Sequence, residues 1–163
     1  MKYFIILLII AGIVAILLKA FSGKIGPRKS ALGYLKKERV MNTSEQALYI
    51  NLQKTLGDNF IVLSKVRIED FVEVRSKSKS EWWSLRGRIK SRHVDFLICD
   101  LITTKPLLAI ELDGASHRNI GRIERDKFVN DVYNEINLEV VHVLKGSDFL
   151  QEATRIKEIL VKM

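Results

Sequence analysis

This sequence predicts an α/β domain, a mixed sheet flanked by helices, preceded by one transmembrane helix. Three observations carry that reading. Strand-like segments in the second half of the chain are separated by a segment of helical periodicity, and strands joined by such a crossover belong to a sheet covered by helices. The 163 residues have room for one ordinary domain of about 100 to 150 residues and a short appendage, which excludes a multidomain machine. The apolar residues are unevenly spread, with an uncharged run at the amino terminus.

That run, residues 3–18, is almost wholly Ile, Leu, Val, Ala and Phe. As a helix of roughly 16 residues it would span about 24 Å, a little short of a hydrocarbon core near 30 Å, so Lys2 and Lys19 would have to snorkel. Lys19, Lys24, Arg28, Lys29, Lys36, Lys37 and Arg39 follow it against one acid, Glu38, and the positive-inside rule places such a flank in the cytoplasm. The expectation is a single-pass anchor over residues 1–20 with the carboxyl-terminal domain cytoplasmic. A cleaved signal, for which Ala20-Phe21-Ser22 is a passable site, and a buried helix are the alternatives. Residues 21–42 carry Gly23, Gly26, Pro27, Ser30 and Gly33 among basic residues and read as a linker, attracted to anionic lipid at about 1 kcal/mol per charge.

Residues 43–163 form the soluble domain. Thr43 can cap a helix over residues 43–56, with Gln46 closing a capping box, Ala47, Leu48, Leu52 and Leu56 forming its apolar stripe, and Gly57 as the stop. Phe60-Ile61-Val62-Leu63 and Val66-Arg67-Ile68 read as extended, and residues 75–92 as a loop or ragged hairpin. His93 to Cys99 is strand-like, a turn follows, and Leu107 to Asp113 is a second strand that should pair with the first. Residues 122–137 form a helix with Ile123, Phe128, Val132 and Ile136 inward; residues 138–144 form an apolar strand; Ser147 caps a last helix over 148–161.

Composition narrows function. The balance of 27 Lys and Arg against 19 Asp and Glu, a formal +8, favours an anionic partner. One cysteine, Cys99, cannot form an internal disulfide, which excludes a stapled secreted fold; it reads as a small buried apolar residue. The chemistry concentrates on two strands. Alternation in Ile110-Glu111-Leu112-Asp113 puts both carboxylates on one face, and Asp95 on the pairing strand can lie across from them, with Val94 and Phe96 turned to the apolar side. Taken singly, acids at strand ends are mostly solvated or capping. Crowded together in apolar strands they repel unless a cation intervenes, and hard divalent ions take such oxygens. His142, in an apolar strand, reads as a satisfied core residue.

A second signal is the run 75–92. Arg75, Lys77, Lys79, Arg86, Arg88, Lys90 and Arg92 surround Trp82 and Trp83, and basic residues interleaved with aromatics suit a phosphate backbone and unstacked bases. A solvated loop is the ordinary alternative. Arg122 and Arg125 could extend that surface.

The run His93-Val94-Asp95-Phe96, then Ile110-Glu111-Leu112-Asp113-Gly114 with His117 after it, Glu124-Arg125-Asp126 opening a helix and Leu138-Glu139-Val140-Val141 closing on a strand, resembles the PD-(D/E)XK nuclease superfamily. More narrowly it is similar to a bacterial group near the very-short-patch-repair endonucleases. The resemblance implies a restriction-endonuclease-like fold in which Asp95 and Glu111 ligate Mg²⁺ or Mn²⁺, Glu45 on the first helix is an outlying acid, and His117 transfers a proton or contacts phosphate. It implies hydrolysis of a phosphodiester, with DNA as the partner. The sequence departs from the pattern at Asp113, which stands where the superfamily usually has lysine. The rival expectation is therefore an inactive nuclease-like module that holds nucleic acid at the membrane.

Overall fold

The computed structural model describes residues 3–4, 10–16, 32–114 and 120–163, with side chains except at 120–126. The chain divides into two compact units, Met1–Glu38 and Arg39–Met163. In the first, residues 3–4 and 10–16 are helical, and much of the expected anchor and linker lies outside the described residues. No helix among the described residues is long and apolar enough to cross a membrane.

The second unit runs α1 (Thr43–Leu56), β1 (Phe60–Arg67), α2 (Lys79–Ile89), β2 (His93–Asp100), β3 (Pro106–Asp113), α3 (Ile120–Glu135), β4 (Glu139–Leu144) and α4 (Phe149–Val161). The sheet has four strands in the order β1-β2-β3-β4. β1 and β3 flank β2 antiparallel, and β4 lies parallel to β3 after the α3 crossover. Pro106, which has no N–H to give a ladder, opens β3 where the pairing shifts register between Ile98 and Cys99.

Each sheet face buries its own apolar set. On one face Leu48, Leu52 and Leu56 of α1 and Ala153, Ile156 and Leu160 of α4 cover Val62, Phe96, Ile98, Leu108, Ile110, Leu112, Val141 and Val143. On the other, Ile89 of α2 and Tyr133 of α3 cover Val94, Leu97, Cys99 and Ala109. Helices on both faces of a mixed sheet are the α/β architecture the sequence pattern predicts.

Local details depart from the sequence reading where a neighbouring residue competes better for the same hydrogen bonds. Asn42, not Thr43, caps α1: its side chain accepts from the Glu45 N–H, and Glu45, not Gln46, reaches back to close the capping box. Asp148 rather than Ser147 caps α4, accepting from the Leu150 and Gln151 N–H groups. Gly57 ends α1 as expected, at φ 66°, a conformation that favours glycine. Residues 79–89 are a helix rather than a loop, because Ser78 caps them by accepting from the Glu81 N–H and Ile89 inserts into the core. In α3 it is Tyr133 that is fully buried, while Ile136 is 37% exposed at the helix end. Val94 and Phe96 do not share a face, since Val94 joins the second cluster and Phe96 the first. The alternation of β2 breaks at Asp95.

Candidate functional site

Glu45 from the first turn of α1, Lys65 from β1 and Asp95 from β2 meet through ion pairs, and Glu111 of β3 lies beside Asp95. The ladder between β2 and β3 runs from Cys99↔Pro106 to Phe96↔Ile110 and stops there. Beyond that point the Leu112 N–H donates to Asp95 Oδ2 at 3.0 Å, so a carboxylate takes the place of a backbone carbonyl and the strands part around it.

The other Asp95 oxygen accepts from Lys65 Nζ at 2.6 Å, and the same ammonium donates to Glu45 Oε1 at 2.8 Å. Glu45 Oε2 accepts from the Asn42 N–H at 2.9 Å, so both of its oxygens are engaged. Lys65 has φ 56°, a left-handed conformation uncommon in a residue with a side chain. Strain of this kind costs of order 1–3 kcal/mol and persists only where the surroundings over-determine it. Burial pulls the Lys65 ammonium down, but its hydrogen bonds to Asp95 and Glu45 outweigh that and leave it more basic than an ordinary lysine.

Lys65 changes the electrostatic picture drawn from the sequence, in which the acids stand uncompensated. A cation is present, supplied from β1 rather than from the position of Asp113. Sequence reasoning passed over it because Ser64-Lys65 looks like a polar break between two extended segments. The available signal was a lysine within an apolar strand, where an unpaired ammonium would be costly.

Among the described residues Glu111 has no such cationic partner. It is largely buried and accepts from the Tyr133 hydroxyl, which donates to Oε1 at 3.3 Å, and from the Asp95 backbone N–H. Burial, then the negative charge of Asp95, push its carboxyl up to about 7 against a hydrogen bond from Tyr133. Burial and the Glu111 charge in turn push the Tyr133 hydroxyl well above the usual tyrosine range. A buried carboxylate held by neutral donors, the Tyr133 hydroxyl and the Asp95 N–H, and repelled by a second carboxylate is a donor suited to a hard cation.

Asp113 stands apart. It is half exposed and accepts or shares a hydrogen bond with His142 Nδ1 at 3.0 Å. His142 is correspondingly a surface residue rather than part of the core: it sits opposite Glu111 on β4, on the face that carries the acids. Among the described residues no three of His, Cys, Asp and Glu converge as a metal-holding group. His117 lies outside the described residues, and the side chains of Arg122 and Arg125 are likewise not described. His93 is exposed at the start of β2, and Cys99 is buried, its thiol pushed up by burial.

The basic run forms α2 and its flanks. Arg75 pairs with Glu73 at 3.3 Å, and Arg86 with Glu69 at 2.9 Å, while Lys77, Lys79, Arg88 and Lys90 are exposed. Arg88 lies 3.8 Å and Arg92 5.3 Å from the centre of the Phe128 ring, which joins α2 to α3. Trp82 and Trp83 meet edge to face at 4.8 Å, with the Arg86 guanidinium 5.7 Å from both rings.

A protein-family profile described as a protein of unknown function, DUF2726, matches residues 37–160 of this chain. No curated protein and no solved structure matches it.

Two consequences are measurable. Because the folded Glu111 carboxyl stands above its ordinary value, its protonated form favours the fold, and that stability is complete below about pH 4.5 and lost as pH rises through about 7. In chelator the protein should lose up to about 3 kcal/mol between those limits from this group, and Glu111→Gln should flatten the profile. Equal pH slopes for the two proteins would show that Glu111 titrates as an ordinary carboxylate.

Removing the Lys65 charge with Lys65→Met leaves Glu45 and Asp95 facing one another with no ammonium between them. Stability at neutral pH should fall by about 2–3 kcal/mol, and millimolar Mg²⁺ should recover more of it than in the unmutated protein. An unchanged denaturation midpoint would mean that the ion pairs contribute nothing.

Proposed function

This chain belongs to the DUF2726 family of proteins of unknown function, and we propose that it is a membrane-anchored, divalent-metal-dependent nuclease that hydrolyses phosphodiester bonds of DNA. The observation that carries the proposal is the pairing of Asp95 and Glu111 where β2 and β3 part, one carboxylate bonded to Lys65 and the other buried with no cation beside it among the described residues. The four-stranded mixed sheet between helices supports the restriction-endonuclease-like fold that the resemblance implies.

Asp95 and Glu111 are the residues that would hold Mg²⁺ or Mn²⁺, with the Leu112 carbonyl as a further oxygen. Such an ion would polarise the phosphate and lower the pKa of its bound water. The donor set fits: both ligands are hard oxygens, and burial and the Asp95 charge, which raise the Glu111 carboxyl to about 7, are costs that a divalent charge beside it offsets.

Each remaining residue has work the geometry supports. Lys65 is a cation at the site, able to meet a phosphate oxygen if it leaves Asp95. Glu45 holds the Lys65 ammonium through one oxygen and its own helix cap through the other, which makes it a positioning residue. Asp113 fixes the ring of His142 through Nδ1, leaving Nε2 for proton transfer, a role the resemblance assigns to His117. The cations of α2, directly before the Asp95 strand, supply electrostatic attraction to the backbone.

A second reading has one observation in its favour. Lys65 already occupies one oxygen each of Asp95 and Glu45, as a neutralised site in an inactive module that only holds nucleic acid would do. Cleavage separates the two. The full-length protein in detergent should cut DNA with Mg²⁺ or Mn²⁺ and not with chelator, and Asp95→Asn or Glu111→Gln should lower the rate by a hundredfold or more. Absence of metal-dependent cleavage with single-stranded, duplex and branched substrates would leave the binding module.

The apolar run at residues 3–18 and its basic flank support the anchor, with the second unit in the cytoplasm. A cytoplasmic reporter fused after Met163 should be active and sediment with membranes. An active periplasmic reporter at the same place, or a mature chain beginning near Gly23, would refute it.

A further inference from the structure

We infer that the outer face of α2 is a stacking platform for unpaired bases, so that single-stranded nucleic acid is held there in preference to duplex. The inference rests on the nucleic-acid reading above but not on cleavage.

Trp82 and Trp83 belong to neither apolar cluster, and Trp83 is 54% exposed. An indole that closed a sheet edge would be covered by it; this one presents aromatic area to solvent. Its position is nevertheless fixed. The Trp82 ring abuts it edge to face at 4.8 Å, and the Arg86 guanidinium lies 5.7 Å from both ring centres. Arg86 is itself held at 2.9 Å by Glu69, whose carboxylate also takes Arg67 at 3.0 Å. Arg86 thus supports the tryptophans rather than reaching for phosphate, and a rigid aromatic surface loses little entropy when a base settles on it.

The surroundings specify the partner. Lys79, Trp83, Arg86 and Lys90 recur at helical spacing, so two lysines bracket the exposed ring along about 16 Å of helix. Lys77, Lys79 and Lys90 form no ion pair among the described residues, and Arg88 lies alongside. An aromatic surface between free cations suits a strand whose backbone is anionic and whose bases can turn outward. In a duplex the base faces are stacked on one another, so only the cations would be satisfied.

The chain has two tryptophans, both in this helix, so its tryptophan emission, excited beyond the tyrosine band, reports on this surface. The full-length protein in detergent, with chelator to prevent cleavage, is titrated with an oligothymidylate and with a hairpin duplex of the same length. The single strand should quench the emission to saturation and bind about tenfold or more tighter than the duplex. Trp83→Ala should weaken single-strand binding about tenfold or more and duplex binding by less than about twofold, whereas Trp83→Phe should retain most of the single-strand affinity. Equal affinity for both forms with no effect of Trp83→Ala overturns the platform and leaves the nucleic-acid reading intact. No binding of either form overturns both. A blue shift with phosphatidylglycerol micelles that the oligonucleotide does not reverse also overturns the platform and assigns the surface to lipid headgroups.

Discussion

One ammonium group holds the centre of this domain together. Lys65 Nζ lies between Glu45 and Asp95, at 2.8 and 2.6 Å, and links the first helix to the second strand from a strand that belongs to neither. Two partly buried carboxylates at that distance from one cation would repel each other strongly without it. Through Glu45 the same contact reaches the cap of α1, and through Asp95 it reaches the Leu112 N–H of β3. The left-handed backbone at Lys65 is the cost of aiming the side chain there.

The divergence of β2 and β3 follows from the same contact. Asp95 has one oxygen for Lys65 and one for Leu112, so the last ladder position between these strands is occupied by a side chain. That opening brings Glu111 close enough to Asp95 to feel its charge. Lys65 balances one of the acids it touches, and the Asp95 charge bears on Glu111, which accepts from the neutral Tyr133 hydroxyl and Asp95 N–H. Two carboxylates crowded in a largely buried place are suited to receiving a cation, and this is the physical support for the proposed metal site.

Outside that centre the charge has the opposite sign. α2 is fastened to the turn after β1 through Arg86 and Glu69 and to α3 through Arg88 over Phe128, yet it buries only Ile89 in its own span. Most of its side chains are thus available to a partner. This basic, aromatic helix directly precedes in the chain the strand that carries Asp95, and its charge favours an anionic partner.

The hydrophobic periodicity determined the α/β class, the helix over residues 43–56, the pairing of the two acidic strands and the crossover to β4, because burial of apolar side chains at a fixed repeat is a local property of the chain. It also put Glu111 and Asp113 on one strand face and marked Asp95 as their neighbour. The fold alone decided which of these acids share a site: Asp113 turned to His142, while Lys65, thirty positions before Asp95, supplied the cation. A helix over residues 79–89 was illegible for a related reason, since its periodic signal is a single buried isoleucine and its stability comes from a serine cap and contacts to distant residues. Ion pairs and caps depend on which side chains arrive within about 3 Å of one another, and that is settled only when the strands and helices carrying them have packed.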